Sequence, residues 1–234
     1  MGGQACVFYG AAEFSRDLDL ALSVAPENLV ALEQVLNELE AEPVAVPPFV
    51  RRFLEAGHAV HFRCGAPGVE GLRIDIMHTM RGVDPFESLW ARRTTLETED
   101  GLLIDLLSLP DLVAAKKTQR DKDWPMLRRL VEANYYAHGE SPSRDQLAFW
   151  LLEARTPRIL LDLASTYPAL TESLVRQRQL LAAARQNDAA LVERLLGEEQ
   201  RLERQRDREY WEPLKLELER LRREIQRNDE VPDT

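Results

Sequence analysis

Three aspartates in the first third of the chain have the residue types and spacing to hold a divalent cation. Asp17 and Asp19 flank Leu18 in the run RDLDL, and Asp75 stands in the middle of RIDIM. Residues two apart in a strand point to the same face, so Asp17 and Asp19 should project side by side. If the two runs form neighbouring strands, we expect the three carboxylates to converge. Carboxylates so placed repel one another and raise each other's pKa, and a divalent cation removes that cost.

Magnesium is the cation that suits these ligands. Mg²⁺ takes carboxylate oxygens together with the phosphates of a substrate. Two such ions, about 3.5–4 Å apart, can clamp the attacking and leaving oxygens of a phosphoryl displacement. We therefore expect two Mg²⁺ ions, or Mn²⁺ in their place, held by Asp17, Asp19 and Asp75. Asp105, in LIDL, is a rival third acid that ranks lower because it lies beside a predicted hairpin turn.

Two glycines at the start of the chain fit the same chemistry. Gly2 and Gly3 have no side chain, so the backbone there can approach a triphosphate closely. We expect residues 4–9 to form a short helix, whose N-terminus favours phosphate. Ser15 would add a hydroxyl donor close to the same place.

Strand-like and helix-like runs alternate up to about residue 137. Apolar alternation indicates strands at 18–24, 58–64 and 72–77 and a short hairpin of 94–98 with 102–106. Leucines and valines at helical spacing indicate a helix at 26–42, and further helices are expected at 84–92, 109–117 and 124–136. After the polar linker HGESPSRD the chain reads as helical, with a break near Pro157. The fold class that follows is α+β, a small mixed sheet flanked by helices and followed by an all-α C-terminal region.

The C-terminal region carries a narrow apolar stripe. Leu214, Leu218, Leu221 and Ile225 stand at i, i+4, i+7 and i+11, the spacing of a helix face that packs against another helix. We interpret this tail as a helical hairpin or a coiled-coil arm, through which the chain could form a homodimer. A role in holding a substrate is the alternative.

Composition excludes some classes of function. The net charge of −10 and a pI near 5.0 speak against a protein that coats nucleic acid by bulk electrostatics. Cys6 and Cys64 lack metal-type spacing, so we interpret them as free thiols in a reducing compartment. No apolar run reaches the length that spans a bilayer, and the N-terminus lacks the pattern of a secretory signal. We therefore expect a cytoplasmic protein without a membrane partner.

The four histidines form no obvious ligand pair. His58 and His61 would lie on opposite faces of one strand, and His78 would lie on the face opposite Asp75. His138 falls in the linker. We therefore interpret each histidine as a core or solvated residue without a chemical role.

The order of these motifs resembles the nucleotidyltransferase superfamily with the DNA polymerase beta type of fold. Its pattern is GG, a spacer, S-x-D-x-D on a strand, and a later apolar-Asp-apolar strand. The stretch from RIDIMHTMRGVDPFESLWARR through LLSLPDLVAAKKTQRDKDWPMLRRL is more specifically similar to small prokaryotic members, including the AbiEii-type toxins of toxin–antitoxin systems. The resemblance covers about residues 2–135 and implies a nucleotidyltransferase domain over residues 1–137, with a helical region over 138–234.

The resemblance implies a role for each matching residue. Asp17, Asp19 and Asp75 would be catalytic and would bind the metals, with Asp75 also helping to deprotonate the acceptor hydroxyl. The remaining matches would bind the nucleotide: Gly2 and Gly3 at the triphosphate, with Ser15 beside them, Lys116 in preference to Lys117 at a phosphate, and Lys122 with Asp123 as a Lys-Asp pair that follows the lysine helix.

The implied activity is Mg²⁺-dependent transfer of a nucleoside monophosphate from an NTP to an acceptor hydroxyl. The acceptor stays open between RNA, a protein and a small molecule, and an antitoxin protein is an implied partner. An RNA acceptor would need a basic groove. Seven arginines could supply one or could simply balance the 40 acidic residues: Arg51, Arg52, Arg92, Arg93, Arg120, Arg128 and Arg129.

The chain departs from the family pattern at its start. Relatives place a helix and an apolar strand ahead of GG, whereas Met1 directly precedes Gly2 here. We expect a start further upstream, a truncated chain or a domain that lacks its first strand. A missing first strand leaves room for a non-catalytic module of the same fold that binds a partner protein. A DNA-binding regulator is a distant third choice, because no helix-turn-helix signature is present.

Overall fold

The computed structural model describes residues 1–44 and 46–229 and is of mixed α+β class. The strands are β1 Asp17–Ala21, β2 Glu42–Pro43, β3 Val60–Arg63, β4 Arg73–Met77, β5 Thr94–Glu97 and β6 Leu103–Leu106. The helices are α1 Gly2–Phe8, α2 Pro26–Glu38, α3 Arg51–Ala56, α4 Phe86–Ala91, α5 Leu109–Ala115, α6 Asp123–His138, α7 Arg144–Glu153, α8 Pro157–Thr166, α9 Pro168–Leu174, α10 Leu181–Arg185 and α11 Ala189–Asp229.

Four strands form a mixed sheet in the order β1-β4-β3-β2. β1 runs parallel to β4, whereas β3 is antiparallel to both β4 and β2. The strands expected at 18–24, 58–64 and 72–77 are confirmed, although each is shorter than expected. His58 consequently lies ahead of β3 rather than within it.

One face of this sheet is apolar and packs on helices. Ile74 and Ile76 of β4 are buried, and Leu18 and Leu20 of β1 pack against the same cluster. Leu36 of α2 joins that cluster as well. Because side chains alternate along a strand, the residues between these positions must project from the opposite face.

The hairpin predicted near residues 94–106 is confirmed as β5 and β6, which form a separate two-stranded antiparallel sheet. Asp105 lies in β6 opposite Thr95. The rival third acid therefore belongs to a different sheet from Asp17, Asp19 and Asp75.

Tertiary contacts divide the chain into two compact units. The first contains Met1–Val7, Ala12–Ala115 and the residues from Arg208 onward, and the second contains Phe8–Ala11 and Lys116–Asp207. All six strands lie in the first unit, and helices α6 to α10 lie in the second. Each unit is therefore made of stretches that alternate along the sequence. The expected boundary after residue 137 stays a prediction.

The apolar stripe of the tail lies on α11, in the first unit. Leu214 is buried, Leu218 and Leu221 are half-buried, and Ile225 is exposed. The N-terminal end of the stripe therefore packs within the chain. The homodimer expected through these helices stays a prediction.

Among the described helices, none combines the length and the apolar character needed to cross a bilayer.

Candidate functional site

Three carboxylates share the polar face of the four-stranded sheet. In the parallel register of β1 and β4, Asp19 lies directly opposite Asp75, and Asp17 lies opposite Arg73. Asp17 stands two residues before Asp19, so its side chain leaves the same face. All three are half-buried. The expected neighbourhood of the two acidic strands is therefore confirmed.

The glycines at the chain start lie against this acidic face. Gly2 has a φ of +66°, which a residue with a side chain rarely adopts, and a Cβ there would overlap the Asp19 carboxylate. The Gly3 N–H donates to Asp19 Oδ2 at 3.2 Å. A Cβ on Gly3 would overlap the Ser15 hydroxyl. These contacts explain why glycine is required at both positions.

Ser15 and the first helix complete the corner around Asp19. The Ser15 Oγ–H donates to the Asp17 carbonyl at 3.1 Å, so the hydroxyl stays beside the acidic strand. Gln4 Nε2 donates to the Ser15 carbonyl at 3.0 Å. The short helix expected at residues 4–9 is confirmed as α1, but it begins at Gly2. The sequence-predicted residues Gly2, Gly3, Ser15, Asp17 and Asp19 thus lie together.

Asp75 is held by two basic side chains that sequence reasoning did not select. Its Oδ1 accepts a hydrogen bond from Arg73 Nε at 2.7 Å and lies 2.8 Å from His61 Nδ1. Burial by itself raises the pKa of the Asp75 carboxyl, but the hydrogen bonds from His61 and Arg73 outweigh burial and leave that pKa lowered. Asp75 is therefore a carboxylate at neutral pH.

His61 Nδ1 lies 2.8 Å from Asp75 Oδ1 and 3.2 Å from Arg73 Nη2, so it contacts both members of the ion pair. A carboxylate oxygen only accepts, so the hydrogen bond with Asp75 forms when His61 Nδ1 carries a proton. Both bonds use Oδ1, and Asp75 Oδ2 makes no hydrogen bond with any described residue. The Asp75 side chain keeps 14% of its surface exposed. One oxygen is thus fixed by the protein while the other stays open to a ligand.

Arg73 is the positive partner of the acidic face. The hydrogen bond that Arg73 donates to Asp75 raises the pKa of Arg73, and the nearby charges of Asp75, Asp17 and Asp19 act in the same direction, against the lowering effect of burial. The guanidinium is therefore permanently charged. This position could have been recognised from the sequence, because Arg73 precedes Asp75 by two residues in a strand and so shares its face. His61 could not, because its place opposite Asp75 depends on the register of β3 with β4.

The ligand chemistry of this face fits Mg²⁺, which prefers carboxylate oxygens beside the phosphates of a substrate. Asp17, Asp19 and Asp75 supply such oxygens, and the bare backbone of Gly2 and Gly3 leaves room beside them. In the part of the chain that the structure describes, however, no three His, Cys, Asp or Glu side chains stand ready-arranged around a common metal position. Asp75 Oδ1 instead bonds Arg73 and His61.

The predicted lysine and Lys-Asp residues belong to the second unit. Lys116 Nζ lies 3.7 Å from Asp123 Oδ1, and only 13% of the Lys116 side chain is exposed. Asp123 is buried and also accepts from Arg120 Nε at 2.7 Å. Lys122 is exposed ahead of α6. Asp123 therefore organises the turn between α5 and α6, and the phosphate-binding roles of Lys116 and Lys122 stay predictions.

Most of the arginines proposed for a basic groove are paired within the chain. Arg92 bonds both oxygens of the buried Asp111 at 2.7 Å. Four others form ion pairs: Arg51 with Glu55, Arg93 with Asp105, Arg120 with Asp123 and Arg128 with Glu132. This pattern favours charge balance over a groove that attracts RNA.

No protein-family model matches this chain, and no curated protein matches it significantly.

Proposed function

We propose that this protein is a Mg²⁺-dependent nucleotidyltransferase that moves a nucleoside monophosphate from an NTP to an acceptor hydroxyl. The observation that carries the proposal is the pairing of Asp19 with Asp75 across β1 and β4, with Gly2 packed against the Asp19 carboxylate. Separately, each motif is common in proteins. Because they converge on one face of one sheet, together they support the proposed assignment to the nucleotidyltransferase superfamily.

The topology supports the same assignment. The two strands that carry the acids are parallel neighbours, and the sheet continues with antiparallel strands. A small mixed sheet of this kind is what the resemblance implies for a nucleotidyltransferase domain. The apolar face of the sheet is covered by the protein's own core, so the acidic face is the one that can receive substrate.

Asp17, Asp19 and Asp75 are the residues that would hold Mg²⁺. When bound, the ion neutralises the charge that develops on the transferred phosphoryl group. Gly2 and Gly3 offer backbone at a place where no side chain obstructs a triphosphate. The Gly3 N–H, now bonded to Asp19, is a donor within the same corner.

Transfer would proceed as an in-line displacement. The acceptor oxygen forms a bond to the α-phosphorus, the bond from the α-phosphorus to the β-phosphate oxygen breaks, and pyrophosphate leaves. The acceptor proton passes to water or to a nearby base. The lowered pKa of Asp75 makes it a weak base and favours its role as a metal ligand over its role in deprotonation. The chain's contribution is thus mainly positioning and charge.

The test is incorporation of label from each of the four α-labelled NTPs, with Mg²⁺, into the RNA, protein and small-molecule fractions of a host lysate. The wild-type chain should label one fraction and so identify both nucleotide and acceptor. Asp17→Asn and Asp19→Asn should each reduce labelling by roughly 100-fold or more while circular dichroism and the melting temperature stay near wild type. Full labelling by either variant would sink the assignment.

A non-catalytic module with the same fold is the second candidate. It is favoured by the engagement of Asp75 with Arg73 and His61 and by the lack of a ready metal group among the described residues. This candidate predicts no label in any fraction and no binding of a non-hydrolysable NTP analogue by equilibrium dialysis. Analogue binding that Asp19→Asn abolishes would instead favour the enzyme.

A further inference from the structure

Arg73 places a fixed positive charge within the proposed metal site. Its Nε lies 2.7 Å from Asp75 Oδ1, and the other two acids of the face lie near enough to strengthen its protonation. The Arg73 side chain is 43% exposed, whereas the Asp75 side chain is 14% exposed. Arg73 can therefore leave Asp75 for solvent without unpacking the core.

The electrostatics of the metal-free face require such a partner. Like charges directly opposite each other across two strands are destabilising, and Asp19 and Asp75 stand in that relation. Arg73 offsets this repulsion when no cation is present. Once a divalent cation takes that role, the same guanidinium opposes it, because a single and a double positive charge only a few ångströms apart repel strongly.

We propose that Arg73 is a resident counter-cation, which stabilises the metal-free protein and competes with a divalent cation for Asp75. This inference rests on the metal site of the proposed function, but it concerns binding and stability rather than transfer. Metal binding would then require Arg73 to release Asp75 Oδ1. His61 holds that same oxygen, so Asp75 keeps one fixed bond when Arg73 leaves.

The chain supplies a matched control in Arg63. It lies directly opposite Arg73 in the register of β3 and β4, and its side chain is exposed. Arg63 forms no ion pair with any described residue, in contrast to Arg73. Replacing either arginine by glutamine changes the net charge equally, but only the change at Arg73 removes a partner of Asp75.

The experiment is calorimetric titration of Mn²⁺ and Mg²⁺ into wild type, Arg73→Gln, Arg73→Met and Arg63→Gln, with melting temperatures measured in EDTA. The two neutral variants at Arg73 should melt lower than wild type without metal and bind Mn²⁺ about tenfold or more tightly. Arg63→Gln should differ little from wild type in both measurements. Adding Asp75→Asn to Arg73→Gln should remove the gain in affinity.

Equal or weaker Mn²⁺ binding by both Arg73 variants would overturn the proposal, as would Mn²⁺ binding by neither wild type nor variants. Failure of the proposed function gives a different result. In that case Mn²⁺ would bind the Arg73 variants more tightly than wild type, yet no NTP would label any fraction of the lysate. Using two neutral replacements of different polarity keeps the comparison available if one of them is too unstable to purify.

Discussion

Asp19 and Asp75 lie opposite each other in the parallel pair of β1 and β4, and of these two acids only Asp75 is bonded to Arg73 and His61. Two carboxylates at such a pair position weaken a sheet, because like charges directly across from one another repel. Apolar residues at these positions would suit the strands better. Under the proposed function, a bound cation would offset this repulsion.

Asp75→Asn should abolish label transfer, whereas Asp105→Asn should leave it near wild type. Asp75 shares a sheet face with Asp17 and Asp19, but Asp105 lies in the β5–β6 hairpin and bonds Thr95 and Arg93. The measurement is the labelling assay with both variants at equal concentration. Loss of transfer in Asp105→Asn with Asp75→Asn still active would exchange their roles.

Gly2→Ala should damage the acidic corner far more than Gly10→Ala. Both glycines have positive φ, +66° and +73°, so alanine at either position carries a similar backbone strain of roughly 1–2 kcal/mol. Only at Gly2 would the added Cβ overlap a carboxylate, that of Asp19, since nothing lies within 4 Å of a Cβ at Gly10. Transfer and Mn²⁺ binding should fall in Gly2→Ala and persist in Gly10→Ala.

Arg92→Met should strongly destabilise the protein at neutral pH. Arg92 bonds both oxygens of Asp111, which is only 6% exposed and also accepts from Ser108 Oγ at 2.6 Å. Removing the arginine leaves a buried carboxylate with one remaining side-chain donor, a change that costs about 3–5 kcal/mol of unfolding free energy. Urea denaturation measures the effect. Arg158→Met is the control, since Arg158 is 90% exposed and should change little.

The ion pair of Arg92 with Asp111 also makes the free energy of unfolding depend on pH. Burial raises the pKa of Asp111, but hydrogen bonds from Arg92 and Ser108 outweigh it and leave the pKa lowered. A carboxyl whose folded pKa lies below its unfolded pKa stabilises the protein above the unfolded value, and this contribution is lost as pH falls through the folded value. The difference between wild type and Arg92→Met should therefore shrink on acidification below about pH 4. A constant difference between pH 7 and pH 3 would contradict this account.

Arg178→Met should lower the unfolding free energy of the second unit far more than Arg176→Met. Arg178 is 6% exposed and donates to the carbonyls of Leu151 and Ala154 at 2.9 Å and to Glu199. Its loss should cost about 3–5 kcal/mol, because Glu199 and two carbonyls lose a charged donor in a buried place. Arg176 is exposed, so its replacement should lie within about 0.5 kcal/mol of wild type. Thermal melts of the two variants provide the comparison.

The local sequence pattern was sufficient to predict the two acidic strands, but it did not predict the side chains that contact them from a neighbouring strand. The spacing of Asp17 and Asp19, and an aspartate between Ile74 and Ile76, predicted one polar and one apolar face. The role of His61 was not predictable, since it follows from the pairing of β3 with β4. A residue in one strand does not determine which residue of another strand will face it.

The tail shows the same limit. Helical spacing of Leu214, Leu218 and Leu221 predicted an apolar stripe, and the structure has a helix there. A stripe alone does not specify its partner. In the structure, Leu214 packs near Gly57, and Glu217 bonds His58 at 2.7 Å, so residues distant in sequence form the first unit together.

The course of α11 has a consequence for how the chain is made. The first unit includes the N-terminal strands and the residues from Arg208 onward, while the intervening Lys116–Asp207 belongs to the second. During synthesis His58 therefore lacks its Glu217 partner until a further 159 residues of the chain have been made. The second unit, almost contiguous in sequence, can be complete first. On the ribosome the first unit would then be completed only after Lys116–Asp207 has been synthesised.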